Sequence, residues 1–312
     1  MDGLKLSVLA GASVVLIATA VLTPAGGGSS TLTVKQPRRA DLVLIPGGKI
    51  EVGDNASQAD ERPAFAYETQ PLLFDRTPVT VAQFAAFVAD TGYRTEAERI
   101  GTAGVFDHES DQWILVKGAD WRRPQGPDKQ AAEFNHPVTQ VSWADADIFC
   151  RSYGARLPTE FEWERAARLG QTPDGHVFTA ADPPAMADPR VLNVWQGVFP
   201  IYDEGADGYK LTSPVGAYGA APSGLTDMAG NVWQWTASWY GAYAGGGKIK
   251  RHVPAQRVQR GGSFLCDGHV CQGFRVTARS GVSPDTALMH AGFRCVVEPG
   301  RAKALVGQIA LR

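Results

Sequence analysis

Apolar residues return every three to four positions in three stretches of the chain, and a capping pair introduces each one. Thr80 with Gln83, Ser142 with Asp145, and Thr159 with Glu162 place a side-chain oxygen at the first position and an acceptor three residues on. The first and third of these are full capping boxes. The first predicted helix turns Phe84, Phe87 and Val88 inward and ends near Gly92; the second carries Ala146, Phe149 and Cys150 and ends at Gly154. Each spans about 10–12 residues, roughly three turns. Strand-like pieces lie around them. Leu42-Val43-Leu44-Ile45 is stopped by Pro46-Gly47-Gly48, and Trp113 to Val116, Val215 to Tyr218 and Val258 to Gly261 are divided by Gly and Pro turns. From Gly170 to Tyr209 periodicity fades into loops carrying Pro173, Pro183, Pro184, Pro189 and Pro200. A loop region that long is usually held by a metal or a ligand. No internal repeat of about 20–50 residues is visible, which removes solenoids and propellers.

One apolar stretch has no polar face. From Leu6 to Thr23 the chain carries no charge, with Lys5 just before it. It reads as a signal-peptide core or a short membrane anchor, with small residues at Ala18-Thr19-Ala20 and Thr23-Pro24-Ala25 where a signal peptidase could cut. Gly26-Gly27-Gly28-Ser29-Ser30 follows as a flexible tether. Residues 1–40 are thus an export segment and linker, the folded domain runs from 41 to 300, and 301–312 form a C-terminal tail. The expected location is periplasmic, secreted, or membrane-anchored facing outside, where a structural disulfide is the default for cysteines.

Composition narrows the function. Of 312 residues, 30 are Lys or Arg and 32 are Asp or Glu, a net charge of −2, which excludes the basic surface that phosphate backbones require and so argues against nucleic acid. The apolar fraction of 44% supports a sizeable core, and Gly 35 with Pro 20 predicts short elements and many turns. Several motifs fail on spacing. Gly245-Gly246-Gly247-Lys248 lacks the spacing and hydroxyl of a phosphate loop and reads as a surface turn; Gly262-Ser263-Phe264-Leu265 lacks the second glycine of a nucleophile elbow. The six histidines, 108, 136, 176, 252, 269 and 290, include no two at helical ligand spacing. The remaining constellation is Cys266-Asp267-Gly268-His269-Val270-Cys271. Its residues alone leave three readings open: a disulfide, a thiolate metal site, or a redox-active pair. A metal there would be a soft ion such as Cu(I) rather than zinc, which wants four ligands. Four cysteines allow three pairings, and composition does not choose among them.

The sequence around this pair closely resembles the formylglycine-generating enzymes, the sulfatase-modifying factors. The resemblance is carried by Arg260-Gly261-Gly262-Ser263-Phe264-Leu265-Cys266 through Cys271, Arg275, Ala278-Arg279-Ser280, Ser283-Pro284-Asp285-Thr286 and Gly292-Phe293-Arg294-Cys295. Upstream, Leu44 to Gly48, Thr77 to Thr80, Trp121 to Pro124, His136-Pro137-Val138, Arg156 to Glu160, Asn193 to Gly197 and Gly230 to Trp233 follow in the family order. It implies an α+β, irregular and loop-rich fold related to C-type lectins, with low secondary-structure content, acting as a monomer.

The resemblance also implies the chemistry. Cys266 and Cys271 would bind Cu(I), joined by a substrate cysteine, with O2 oxidising that cysteine's β-carbon to the aldehyde of formylglycine. Ser263 and Trp233 would line the pocket where oxygen meets the metal. Cys150 and Cys295 correspond to a structural disulfide, and a second disulfide of some relatives is absent because Ala167 and Val276 stand in its place. Asn193, the Val194 carbonyl, Asp207 and the Tyr209 carbonyl match one Ca2+ site; Asp227, the carbonyls of Gly230 and Val232, and Gln234 match a second. Gln234 stands where the family has glutamate, and Asp227 where it often has asparagine. Val270 replaces an aromatic, Gly273 an arginine and Ala287 a hydroxyl residue, so the expected partner is a sulfatase or another cysteine-containing polypeptide with an altered motif. Two other readings stand beside it: a non-catalytic binding module of the same fold, and an oxidase acting on a non-sulfatase substrate.

Overall fold

A computed structural model describes residues 41–182, 190–245, 247–251 and 254–300. Residues 1–40 and 301–312, where an export segment with its linker and a C-terminal tail are expected, and Pro183, Pro184 and Pro189 lie outside the described residues. The chain runs through β1 (Leu42–Ile45), β2 (Gly48–Val52), β3 (Phe65–Thr69) and β4 (Leu72–Asp75) into α1 (Val81–Thr91) and α2 (Glu96–Ile100). There follow β5 (Thr102–Asp107), β6 (Gln112–Lys117), α3 (Trp143–Ser152), α4 (Glu160–Ala167), β7 (Gly197–Val198) and β8 (Tyr202–Asp203). The C-terminal part holds β9 (Trp233–Trp239), β10 (Gly241–Tyr243), β11 (Ile249–Arg251), β12 (Arg257–Arg260), β13 (Arg279–Val282), β14 (Ala291–Phe293) and β15 (Val296–Val297).

Few helices and many short strands make this the irregular α+β fold the resemblance implies. Two sheets organise it. One has the order β1-β4-β15 and the other β13-β12-β9-β14, with β9 and β14 parallel and the remaining pairs antiparallel. Since β14 and β15 are nearly contiguous in the chain, one short C-terminal segment stitches the two sheets together. The largest core cluster packs Phe84 and Phe87 of α1 and Phe149 and Cys150 of α3 against Trp235 of β9 and Phe293 of β14. Cys150 and Cys295 are joined, which ties α3 to the start of β15.

The predicted helix starts at Thr80, Ser142 and Thr159 are all present, and Ser142 with Asp145 also forms a complete capping box. Asp145 is one carbon shorter than Glu, yet its carboxylate reaches the Ser142 N–H at 2.8 Å. α3 ends at Ser152, two residues before the left-handed Gly154. One local expectation fails, and one element was not anticipated. Val215 to Tyr218 is no strand: the Ala217 N–H bonds to the Pro214 carbonyl and the Gly219 N–H to that of Gly216, so the segment coils as consecutive turns. The short helix α2, opened by a Thr95/Glu98 capping box, has no counterpart in the apolar pattern because five residues are too few to show a period. Among the described residues of the 170–209 region the only strands are the two-residue β7 and β8. Gln171 pins it, accepting from the Phe178 N–H and donating to the carbonyls of Met228 and Phe274.

Candidate functional site

The Cys266 to Cys271 loop leaves β12 through Gly261 and Gly262. Gly262 has φ +70°, and a Cβ there would meet the Gly273 carbonyl carbon at 2.6 Å, so two backbone segments touch where any side chain would part them. The loop is closed by Asp267, whose buried carboxylate accepts the N–H groups of Val270 (2.6 Å) and Cys271 (3.3 Å). The Gln272 N–H returns to the Asp267 carbonyl at 3.0 Å. This Asx-type turn places Cys271 beside Cys266, with Cα atoms 4.9 Å apart and the two sulfurs bonded.

Cys266 is buried, whereas Cys271 is partly exposed and Val270 is 66% exposed, so the loop reaches the surface at one end only. Trp233, the first residue of β9, packs in the same cluster as both cysteines, Phe274 and Ala291. Gly273 is what lets it do so. A Cβ at that position would stand 2.5 Å from the Trp233 ring and 2.9 Å from the Cys266 sulfur. Ser263 is one turn upstream, and its carbonyl accepts the Cys266 N–H at 2.9 Å. Sequence-predicted Cys266, Cys271, Trp233 and Ser263 therefore stand together.

Two members of this site escaped sequence reasoning. His290 lies 3.0 Å, through Nδ1, from the Ser263 hydroxyl, and its ring packs against Trp113 at a tilt of 55° with centroids 4.8 Å apart. Burial pushes its imidazole down to about 3, so it is neutral at physiological pH. No histidine spacing could reveal it, because its partner lies 27 residues away. Asp267 carried a weak signal, since an Asp-Gly pair favours turns.

The loop region supplies the other predicted residues. Asp207 accepts the Tyr209 N–H at 2.8 Å through one carboxylate oxygen, and through the other it accepts from the Val194 N–H (3.2 Å) and the Gln196 amide (3.0 Å). Burial raises the Asp207 carboxyl above the usual carboxylate range, only partly offset by these donors, and no described Lys or Arg pairs with it. The buried Oδ1 of Asn193 has no hydrogen-bond partner, although its Nδ2 donates to the Leu211 carbonyl. The Val194 carbonyl also accepts from the Gln196 amide, so the observation that favours a hard, oxygen-seeking cation here is the orphaned buried oxygen of Asn193, in a segment whose carboxylate has no described cationic partner. This segment also holds the cysteine loop, because the Trp195 N–H donates to the Cys266 carbonyl at 3.0 Å.

The second predicted set does not fit an ion in the same way. Gln234 is spent on Trp163, Arg294 and the Asp227 carbonyl, and the Asp227 carboxylate is occupied by Gly216, Thr226 and Asn231. At the cysteines the donor set is two sulfurs, and no group of three His, Cys, Asp or Glu side chains suited to a metal exists among the described residues. Two sulfurs, once reduced, suit a soft ion of low coordination number and not zinc. Two clefts of about 410 and 400 Å³ open elsewhere, lined by residues such as His136 and Tyr209, and Trp195 and Ile201; neither includes the cysteines, Ser263 or Trp233.

The family model described as the sulfatase-modifying factor enzyme 1-like domain matches residues 29–299. The formylglycine-generating enzyme of Thermomonospora curvata is 40% identical over 292 residues, covering 83% of this chain and 93% of that protein. The inactive C-alpha-formylglycine-generating enzyme 2 of Bos taurus is 38% identical, covering 84% of this chain and 89% of its own length. Among solved structures, PvdO from Pseudomonas aeruginosa matches with a TM-score of 0.62 at 20% identity, over 84% of this chain and 96% of that one, which bears on the fold alone. By sequence and by fold, the chain belongs to the sulfatase-modifying factor enzyme 1-like family.

Proposed function

We propose that this chain is an exported oxidase that converts a cysteine of a polypeptide substrate to formylglycine, with the Cys266/Cys271 pair as its working centre. The observation that carries the reading is that pair, half buried and half at the surface, beside Trp233 and Ser263. The bonded form offers no thiolate, so the reaction begins from the reduced pair. Cys266 and Cys271 would then hold Cu(I), which supplies one-electron redox chemistry toward O2. Thiol to aldehyde is a two-electron oxidation of the β-carbon in which the C–S bond breaks, sulfur leaves as hydrogen sulfide and an oxygen at the level of water takes its place, while reducing O2 to water takes four electrons. A thiol or similar reductant must therefore supply the other two.

The chain's own groups set the stage. Trp233 and Phe274 keep one side of the sulfurs dry, and a dry site strengthens each polar contact within it. Ser263 is buried and held by neutral His290 and the Leu265 N–H, so its hydroxyl is fixed near the cysteine loop without adding charge. Exposed Val270 and partly exposed Cys271 leave the entrance shallow, as a polypeptide substrate needs. A Ca2+ ion at Asn193, Val194, Asp207 and Tyr209 would brace the loop whose Trp195 bonds Cys266. Export through residues 1–40 completes the reading; among the described residues no helix is long and apolar enough to cross a membrane.

The test is direct. The purified chain, reduced and given Cu(I), O2, a thiol and a cysteine peptide of the sulfatase type, is expected to yield the aldehyde by mass spectrometry, and Cys271→Ser is expected to yield none. No product from the wild type, or equal product from Cys271→Ser, defeats the reading. The relatives named inactive favour a second reading, a binding module that keeps the fold without the chemistry. Failure of the chain to take up Cu(I) stoichiometrically would favour it.

A further inference from the structure

The second oxygen cluster contains an amide whose orientation can be assigned from its neighbours. Gln234 is fully buried on β9. Its Oε1 accepts from the Trp163 indole N–H at 2.9 Å and from the Arg294 Nε–H at 2.7 Å. Both groups are donors only, so turning the amide over would aim its NH2 at two N–H groups. The oxygen is thereby fixed, and Nε2 must face the other way, where it donates to the Asp227 carbonyl at 2.6 Å.

Arg294 completes the closure. Its guanidinium donates to the carbonyls of Thr226 (2.7 Å) and Asp227 (3.2 Å), and to those of Asp75 (3.1 Å) and Arg76 (3.0 Å). The Asp227 carboxylate accepts from the Gly216 N–H (2.8 Å), the Thr226 hydroxyl (2.5 Å) and the Asn231 amide (3.0 Å). A glutamate at 234 would keep its bonds to Trp163 and Arg294 but would set a second oxygen against the Asp227 carbonyl, two acceptors that need a cation between them. Glutamine supplies an N–H at that point instead.

We infer that the Asp227 cluster is ion-free in this protein, closed by the Gln234 amide and the Arg294 guanidinium, and that the chain holds a single Ca2+, at the Asn193–Tyr209 loop. The single remaining ion rests on the calcium reading proposed above; the closure of the Asp227 cluster does not.

Calcium counted by elemental mass spectrometry after exhaustive dialysis against low calcium is expected at one ion per wild-type chain. Asp207→Ala should retain none, and Gln234→Glu should carry one more than the wild type. The melting temperature of Gln234→Glu should fall further on EDTA addition than that of the wild type, and recover on adding Ca2+. Two ions in the wild type overturn the inference, as does an ion that survives Asp207→Ala or a Gln234→Glu count equal to the wild type. A wild type with no ion overturns the single-calcium statement. The wild-type count decides the matter even if Gln234→Glu does not fold. None of these readouts depends on turnover, so failure of the oxidase reading would leave them unchanged.

Discussion

At the scale of single residues, the exit of the cysteine loop is anchored by a buried ion pair. Glu61, 1% exposed, meets Arg275 through two bonds of 2.7 and 2.9 Å, and also accepts from the hydroxyls of Ser57 and Thr277. Burial pushes the Glu61 carboxyl up, but the bonds from Arg275, Ser57 and Thr277 outweigh it and hold it below the usual range. A carboxyl depressed in the folded state contributes stability above its unfolded pKa of about 4.3, and that contribution is lost as pH falls through the folded value. Glu61→Gln leaves Arg275 buried and unpaired, so it should cost about 3 kcal/mol at pH 7. The gap to wild type should begin to narrow as pH falls below the unfolded value of about 4.3 and should close only below the lower folded value, where the native carboxyl is itself protonated. Urea midpoints at pH 7 and pH 3.5 measure this; an equal gap at both would show that charge plays no part.

At the scale of elements, the helices are organised from their starts. Asp145 caps α3 through Ser142 and also takes the Glu96 N–H at the head of α2 and the Tyr93 hydroxyl. Burial raises its own carboxyl, offset in part by these donors. Asp145→Ala strands one buried and two partly buried donors and should cost about 2–3 kcal/mol, against roughly 1 kcal/mol for the single cap lost in Thr80→Ala. Denaturant midpoints compare the two directly. If the variants are equally stable, the double capping role is wrong. The capping chemistry of Thr80, Ser142 and Thr159 was legible in the sequence because it is local, spanning three residues. Helix α2 shows only its Thr95/Glu98 capping box locally: five residues are too few to display a period or to persist alone, and Asp145, 49 residues away, also holds its first turn.

At the scale of the whole molecule, the Cys150–Cys295 bond closes a loop with a sequence separation of 145. A crosslink over that span removes up to about 5 kcal/mol of unfolded-chain entropy, and native disulfides typically contribute roughly 2–5 kcal/mol. The Cys150→Ala/Cys295→Ala double variant should lose that much in chemical denaturation while Cys266 and Cys271 remain available for reaction. A loss below about 1 kcal/mol would place the strength of the α3 to β15 junction in packing alone. The same junction orders the site, because β14, just before Cys295, carries the register that brings His290 and Ala291 to Trp233.

The sequence by itself determined what local chemistry and resemblance can carry: three helix starts, the opening strand, the pair at Cys266 and Cys271, and the family. These depend on residues within a few positions of one another or on motif order, and both survive without a fold. Tertiary structure decided the rest. His290 reaches Ser263 only because β9 and β14 pair, and Val215 to Tyr218, apolar enough for a strand, turns instead where the Val215 N–H bonds to the Asn135 carbonyl. Gln234 was legible as a lost charge. That its amide nitrogen faces the Asp227 carbonyl followed only from Trp163 and Arg294, donors from distant parts of the chain that leave its oxygen one place to go.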